Sequence, residues 1–69
     1  MKTVKTALQQ LVKEMEFTGK LHITSWMIED FLEGHCTEGE IDLFNQMWLD
    51  YRMPWEITRE ELLDVIEAL

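Results

Sequence analysis

In this 69-residue chain the side chains best suited to soft-metal or nucleophile chemistry are His22, His35 and Cys36, with Glu33, Glu38 and Glu40 close by. Zinc needs four ligands held tetrahedrally, and the spaced pairs that supply them, C-x-x-C or H-x-x-x-H, are absent. His35 and Cys36 are neighbours in a turn, so they do not easily reach one ion. The same adjacency works against a Cys–His pair, in which a base must meet the thiol and a third group must orient the base. No oxyanion site is identifiable, and so short a chain has little volume for a pocket of roughly 300 Å³. We therefore expect no metal, no cofactor and no catalytic residue, hence not an enzyme; an activity centred on Cys36 is the remaining enzymatic alternative.

Carboxylates are abundant: Glu29, Asp30 and Glu33 form one cluster, and Glu60, Asp64 and Glu67 another. Acid–base chemistry would require one of a pair to be desolvated so that the two pKa values separate, which solvated helix faces do not provide. The calcium loop D-x-[DN]-x-[DN]-G and a glycine-rich phosphate loop are both missing. Glu60, Asp64 and Glu67 do recur at i, i+4 and i+7, placing carboxylates about 5–6 Å apart per step along one helix line. That spacing is comparable to backbone phosphates, so such a helix could occupy a basic groove meant for nucleic acid.

The wider charge distribution points the same way. Fourteen acids against six bases give a net charge of −8, and the excess begins after Thr24: residues 1–24 carry +2, residues 25–69 carry −10. Nucleic-acid binding works by neutralising phosphates with a basic patch, so direct contact with DNA or RNA is disfavoured. A partner with a basic surface is favoured. No stretch approaches the roughly 18 apolar residues of a membrane span, and Gln9, Gln10 and Lys13 interrupt any export signal. A single cysteine excludes an internal disulfide and fits a reducing compartment, so the expected location is cytoplasmic.

The elements follow from periodicity and caps. Val4, Ala7, Leu8, Leu11, Val12 and Met15 recur at three and four, predicting an amphipathic helix started near Thr3. From Met15 to Ile23 the pattern alternates around Thr18-Gly19, consistent with a turn or short extended link, or with a minor β-hairpin over residues 15–23. Thr24 or Ser25 caps a second helix carrying Trp26, Met27, Ile28, Phe31 and Leu32, which Gly34 stops in the left-handed conformation. Its wide apolar arc makes it either the most buried helix or a contact surface. Thr37 and Glu40 have capping-box spacing and open a third helix, with Ile41, Phe44, Met47, Trp48 and Tyr51 inward, ended by Pro54. Thr58 and Glu61 repeat the box, with Ile57 and Leu62 as a hydrophobic staple, and Leu62, Leu63, Val65, Ile66 and Leu69 form the buried face of a fourth helix. No repeat and no linker is apparent, so residues 1–69 read as a single all-α domain, a small bundle of about four short helices.

Most aromatic residues, Trp26 among them, fit the core. Trp55 stands in a loop, where its ring either plugs the bundle end or stays exposed. An exposed Trp with Met and Tyr nearby is the composition of an interface hot spot. The expected function is a non-enzymatic interaction module, monomeric or a weak homodimer, binding a protein partner through Tyr51, Met53, Trp55, Glu56, Glu60, Asp64 and Glu67. The alternative is inhibition of a nucleic-acid-binding protein or nuclease by phosphate mimicry. In size, acidity and lack of a catalytic motif the chain resembles small bacteriophage or mobile-element proteins, including inhibitors of host nucleases; the resemblance is one of composition and rests on no motif.

Overall fold

The computed structural model describes residues 2–50 and 55–69, with the backbone alone over 47–50. The elements run α1 (Val4–Thr18), β1 (His22–Thr24), α2 (Ser25–Glu33), α3 (Glu38–Asp50), β2 (Glu56–Thr58) and α4 (Arg59–Ala68). The architecture is thus a mostly helical bundle with one small antiparallel sheet. The Cα radius of gyration is 11.0 Å, and a compact chain of this length should have about 11 Å.

Helix α1 begins where the sequence places it: Thr3 is extended and its hydroxyl accepts from the Thr6 amide. It continues past the expected Met15 to Thr18 because Gly19, at φ 72°, closes it in the left-handed region. Gly19 N donates to Glu16 O and Lys20 N donates to Met15 O, which satisfies two terminal carbonyls in the Schellman manner. Residues 15–18 are therefore helical and form no strand. The strand that does form, His22–Thr24, pairs with Glu56–Thr58 in the register His22 with Thr58, Ile23 with Ile57 and Thr24 with Glu56.

This ladder reveals an order that the residues hide. Val4 and Glu38, His22 and Glu56, and Ser25 and Arg59 open corresponding elements, each 34 positions apart. Helix–strand–helix is built twice, and the copies meet across an approximate two-fold axis at the Ile23–Ile57 pair. Two equivalent hydrogen bonds flank that pair, Ser25 N to Trp55 O and Arg59 N to Leu21 O, both 2.8 Å. The expectation of no repeat is thereby corrected. At this offset only Thr3/Thr37, Ile23/Ile57, Thr24/Thr58, Asp30/Asp64 and Glu33/Glu67 are identical.

The core centres on the ladder but does not follow the two-fold relation, since Leu8, Leu11 and Val12 of α1 are buried and their counterparts on α3, Asp42, Asn45 and Gln46, are not. Ile23 and Ile57 are 3% and 1% exposed and join Leu8, Ile28, Leu32 and Leu62 in one cluster. Helix α1 packs on α4 and α2, and α2 packs on α3. The most buried helix is α1, with six buried side chains; α2 buries only Ile28 and Leu32. The wide apolar arc of α2 is instead left partly in solvent, with Trp26 49% exposed where a core position was expected. Gly34 is right-handed, φ −82°, because winding continues beyond it and Cys36 N still donates to Leu32 O at 2.8 Å.

The helix starts differ in how fully they are capped. Thr58 and Glu61 form the complete box, and Ile57 and Leu62 are both buried as the staple requires. These bonds from Thr58 hold the Glu61 carboxyl below its usual range. At Thr37 only half the box forms: its hydroxyl accepts from Glu40 N at 3.4 Å, but Glu40 Oε2 accepts from Val4 N, a free donor in the first turn of α1. Thr24 caps α2 without a side-chain bond, and its buried Oγ1 has no partner among the described residues.

Thr58→Ala should therefore cost about 1 kcal/mol, whereas Thr24→Val should be neutral or stabilising, since it removes a buried hydroxyl that bonds nothing among the described residues. Because the folded pKa of Glu61 is lowered, its contribution is complete above the unfolded value of about 4.3 and lost as pH falls through the folded one. Denaturant titrations should show Glu61→Ala costing more at neutral pH than in strong acid; equal losses at both would refute the box as the source.

Candidate functional site: the aromatic end of the ladder and the acidic helix faces

Trp55 owes its position to the ladder. Its carbonyl accepts from Ser25 N, which fixes the backbone immediately before β2, while its ring is 64% exposed. Burying a large apolar side chain gains roughly 1.5–3 kcal/mol, so an ordered residue that leaves a Trp ring in water forgoes that gain. Of the two dispositions open in the sequence, the exposed one is found. Glu56 beside it is also exposed and pairs with Thr24 in the ladder.

Trp26 lies one residue beyond Ser25, at the same end of the ladder, so both exposed tryptophans leave the backbone in one region. Sequence reasoning placed Trp26 in the core because it sits among apolar residues. The signal that identifies it is helical geometry: Trp26, Glu29, Asp30 and Glu33 follow the i, i+3, i+4, i+7 pattern of one face, and all four are exposed. Ile28 and Leu32 define the opposite, buried face.

On α4 the exposed positions include Glu60, Asp64 and Glu67, the three carboxylates picked out by spacing, with the half-exposed Leu63 between them. Asp64 and Glu67 are two-fold equivalents of Asp30 and Glu33, so the same acidic pair recurs on α2 and α4. Among the described residues none of these carboxylates forms an ion pair. Tyr51 and Met53, also expected at the partner surface, lie outside the described residues.

The Cys36 region is differently built. His35 stacks on Phe31 with ring centroids 4.0 Å apart, and its Nδ1 lies 2.8 Å from Phe31 O. A carbonyl only accepts, so Nδ1 carries the proton. Cys36 is buried, and burial followed by the nearby Glu40 carboxylate pushes its thiol pKa up, against a smaller opposing effect of Lys2. A thiol in such surroundings yields little thiolate, the nucleophilic form. Among the described residues no three His, Cys, Asp or Glu side chains come together as a metal-binding set. Glu61, which falls where a helix–loop–helix calcium site starting at Asp50 would place its twelfth ligand, is committed to the Thr58 amide.

Cys36 should react with a disulfide reagent such as dithiobis-nitrobenzoate at least a hundredfold more slowly in native protein than in urea-unfolded protein at the same pH. Comparable rates would mean that the thiol is accessible and that the buried setting is wrong. The chain matches no family model, no curated protein and no solved structure.

Proposed function

We propose that this protein is a non-enzymatic interaction module that binds a protein partner, with Trp55 as its anchor and the acidic faces of α4 and α2 as its charged surround. The observation that carries this reading is the 64% exposure of a tryptophan whose backbone is held in a ladder. Tryptophan is among the residues most enriched at interface hot spots, and a backbone already fixed loses little entropy on binding. Trp26, Glu56, Glu60, Asp64 and Glu67 extend the surface, with Tyr51 and Met53 assigned to it from sequence.

The partner presents a basic surface. Charge complementarity steers encounter and discriminates among partners, and a chain of net charge −8 repels its own kind and nucleic acid alike. The buried, weakly acidic thiol supports a reading without thiol chemistry and fits a reducing, cytoplasmic setting. No helix among the described residues is long and apolar enough to cross a membrane.

A second reading is inhibition of a nucleic-acid-binding protein by phosphate mimicry, in the manner of the small phage proteins that the chain resembles in composition. It is favoured by one observation, the recurrence of Asp30 and Glu33 as Asp64 and Glu67 about the two-fold axis. Two exposed acidic rows then face outward from equivalent helices.

Isolation of the partner on a tagged chain from its native host, followed by calorimetric titration of the purified pair, separates the two. The first reading predicts that Trp55→Ala weakens binding by at least tenfold, with modest salt dependence. Mimicry predicts a steep loss between low and moderate salt and a larger effect of Asp64→Lys than of Trp55→Ala. A partner that binds all three proteins equally contradicts both.

A further inference from the structure

Between α1 and α2 runs an open groove of about 410 Å³, more volume than the chain's length led us to expect. Its floor is Leu11, Met15 and Ile23, all buried, and its side is made by Met27 and Phe31, which remain half-exposed. Glu14 and Asp30 stand on the rim, and Lys20 closes one end with its Nζ 3.9 Å from Met27 Sδ. Thr18 also lines it, but its hydroxyl is taken up by the Glu14 and Met15 carbonyls of its own helix.

The two-fold relation shows that the fold does not demand an apolar residue at every one of these positions. Positions 34 further along replace Leu11 with Asn45 and Met27 with Glu61, while Met15, Ile23 and Phe31 correspond to apolar Leu49, Ile57 and Val65, and Asp30 is kept as Asp64. One copy of the unit has therefore closed its helix start with a carboxylate where the other presents a thioether. The difference has a structural cost: Met27 occupies the third position of α2, where a Glu would complete a capping box, and among the described residues the Thr24 hydroxyl is left without a partner.

We infer that this groove is a docking site for an amphipathic basic segment of a partner protein, which lays an apolar side chain on Met27 and Phe31 and sets lysine or arginine against Glu14 and Asp30. The rim carries two carboxylates and one ammonium, within a molecule of net charge −8. The two rim carboxylates select a cationic occupant, and the net charge repels a second copy of this chain. Recognition by an apolar face in a groove, with charge setting specificity, follows the helix-in-groove mode. The inference rests on the reading of the protein as an interaction module but uses a surface separate from Trp55.

The test uses defined probes. A synthetic leucine–lysine amphipathic helix and its leucine–glutamate counterpart are titrated into the full chain, with the methyl resonances of Met15, Ile23 and Met27 followed by NMR. The basic peptide should shift these methyls saturably and bind at least tenfold more tightly than the acidic one. Met27→Glu copies the residue at position 61 and gives α2 the Glu its capping box lacks, with the fold checked by unchanged methyl resonances of Leu8 and Leu62. It should weaken the basic peptide at least tenfold even though it adds a negative charge, and Met27→Ala should weaken it several-fold. Trp55→Ala should leave this titration unchanged, which distinguishes failure at the groove from failure at the Trp55 surface. The inference is overturned if Met27→Glu binds the basic peptide equally or better, if both peptides bind alike, or if saturable shifts fall only outside the groove.

Discussion

The pairing of Ile23 with Ile57 is the constraint on which the rest of this protein depends. Each strand has only three residues, and a ladder of that length is marginal in water without packing. Here it is held because both isoleucines are buried on the bundle core and because each strand runs directly into a helix. The Ser25 and Arg59 amides, which open those helices and would be unpaired donors, are instead satisfied by the opposite copy. The ladder thus couples the two units and caps two helices in the same four residues' length of chain.

That coupling governs what reaches the surface. It fixes the backbone of Trp55 and places Trp26 next to it, so two exposed rings share one end of the ladder. At the same 34-residue offset, Asp30 and Glu33 of α2 correspond to Asp64 and Glu67 of α4, all four exposed. Symmetry is broken at the helix starts: Glu61 serves α4 as a cap, whereas Met27 leaves α2 less well capped and lines a groove. Departures from local optimum of this kind are expected where a surface serves binding and not stability.

Much of the fold was legible from local signals. Thr3, Thr37 and Thr58 mark helix starts because a hydroxyl at an extended residue meets orphan amides, and the staple of Ile57 on Leu62 follows from spacing alone. What local signals miss is anything set across the chain. Residues 15–18 alternate like a strand, but Gly19 gives α1 a favourable stop three residues later than the periodicity suggests. The strand partner of His22–Thr24 lies 34 positions away, and the repeat is masked because the copies share an Ile-Thr pair and little else. Glu40 likewise abandons its own cap for the Val4 amide, a donor brought near only by tertiary packing. At the candidate site the acidic positions on α4 were readable from spacing, whereas the exposure of Trp26 depends on which face of α2 meets α1.

Native-state hydrogen exchange at Ser25 and Arg59 tests this account most directly. Both amides sit in the first turn of a helix, where exchange is ordinarily fast, and only the ladder between the two units protects them. The predicted result is protection of both amides to the level of the α1 interior at Leu11, lost together on global unfolding. Exchange of Ser25 and Arg59 at unprotected rates while Leu11 remains protected would contradict the account, because the two units would then not be joined at Ile23 and Ile57.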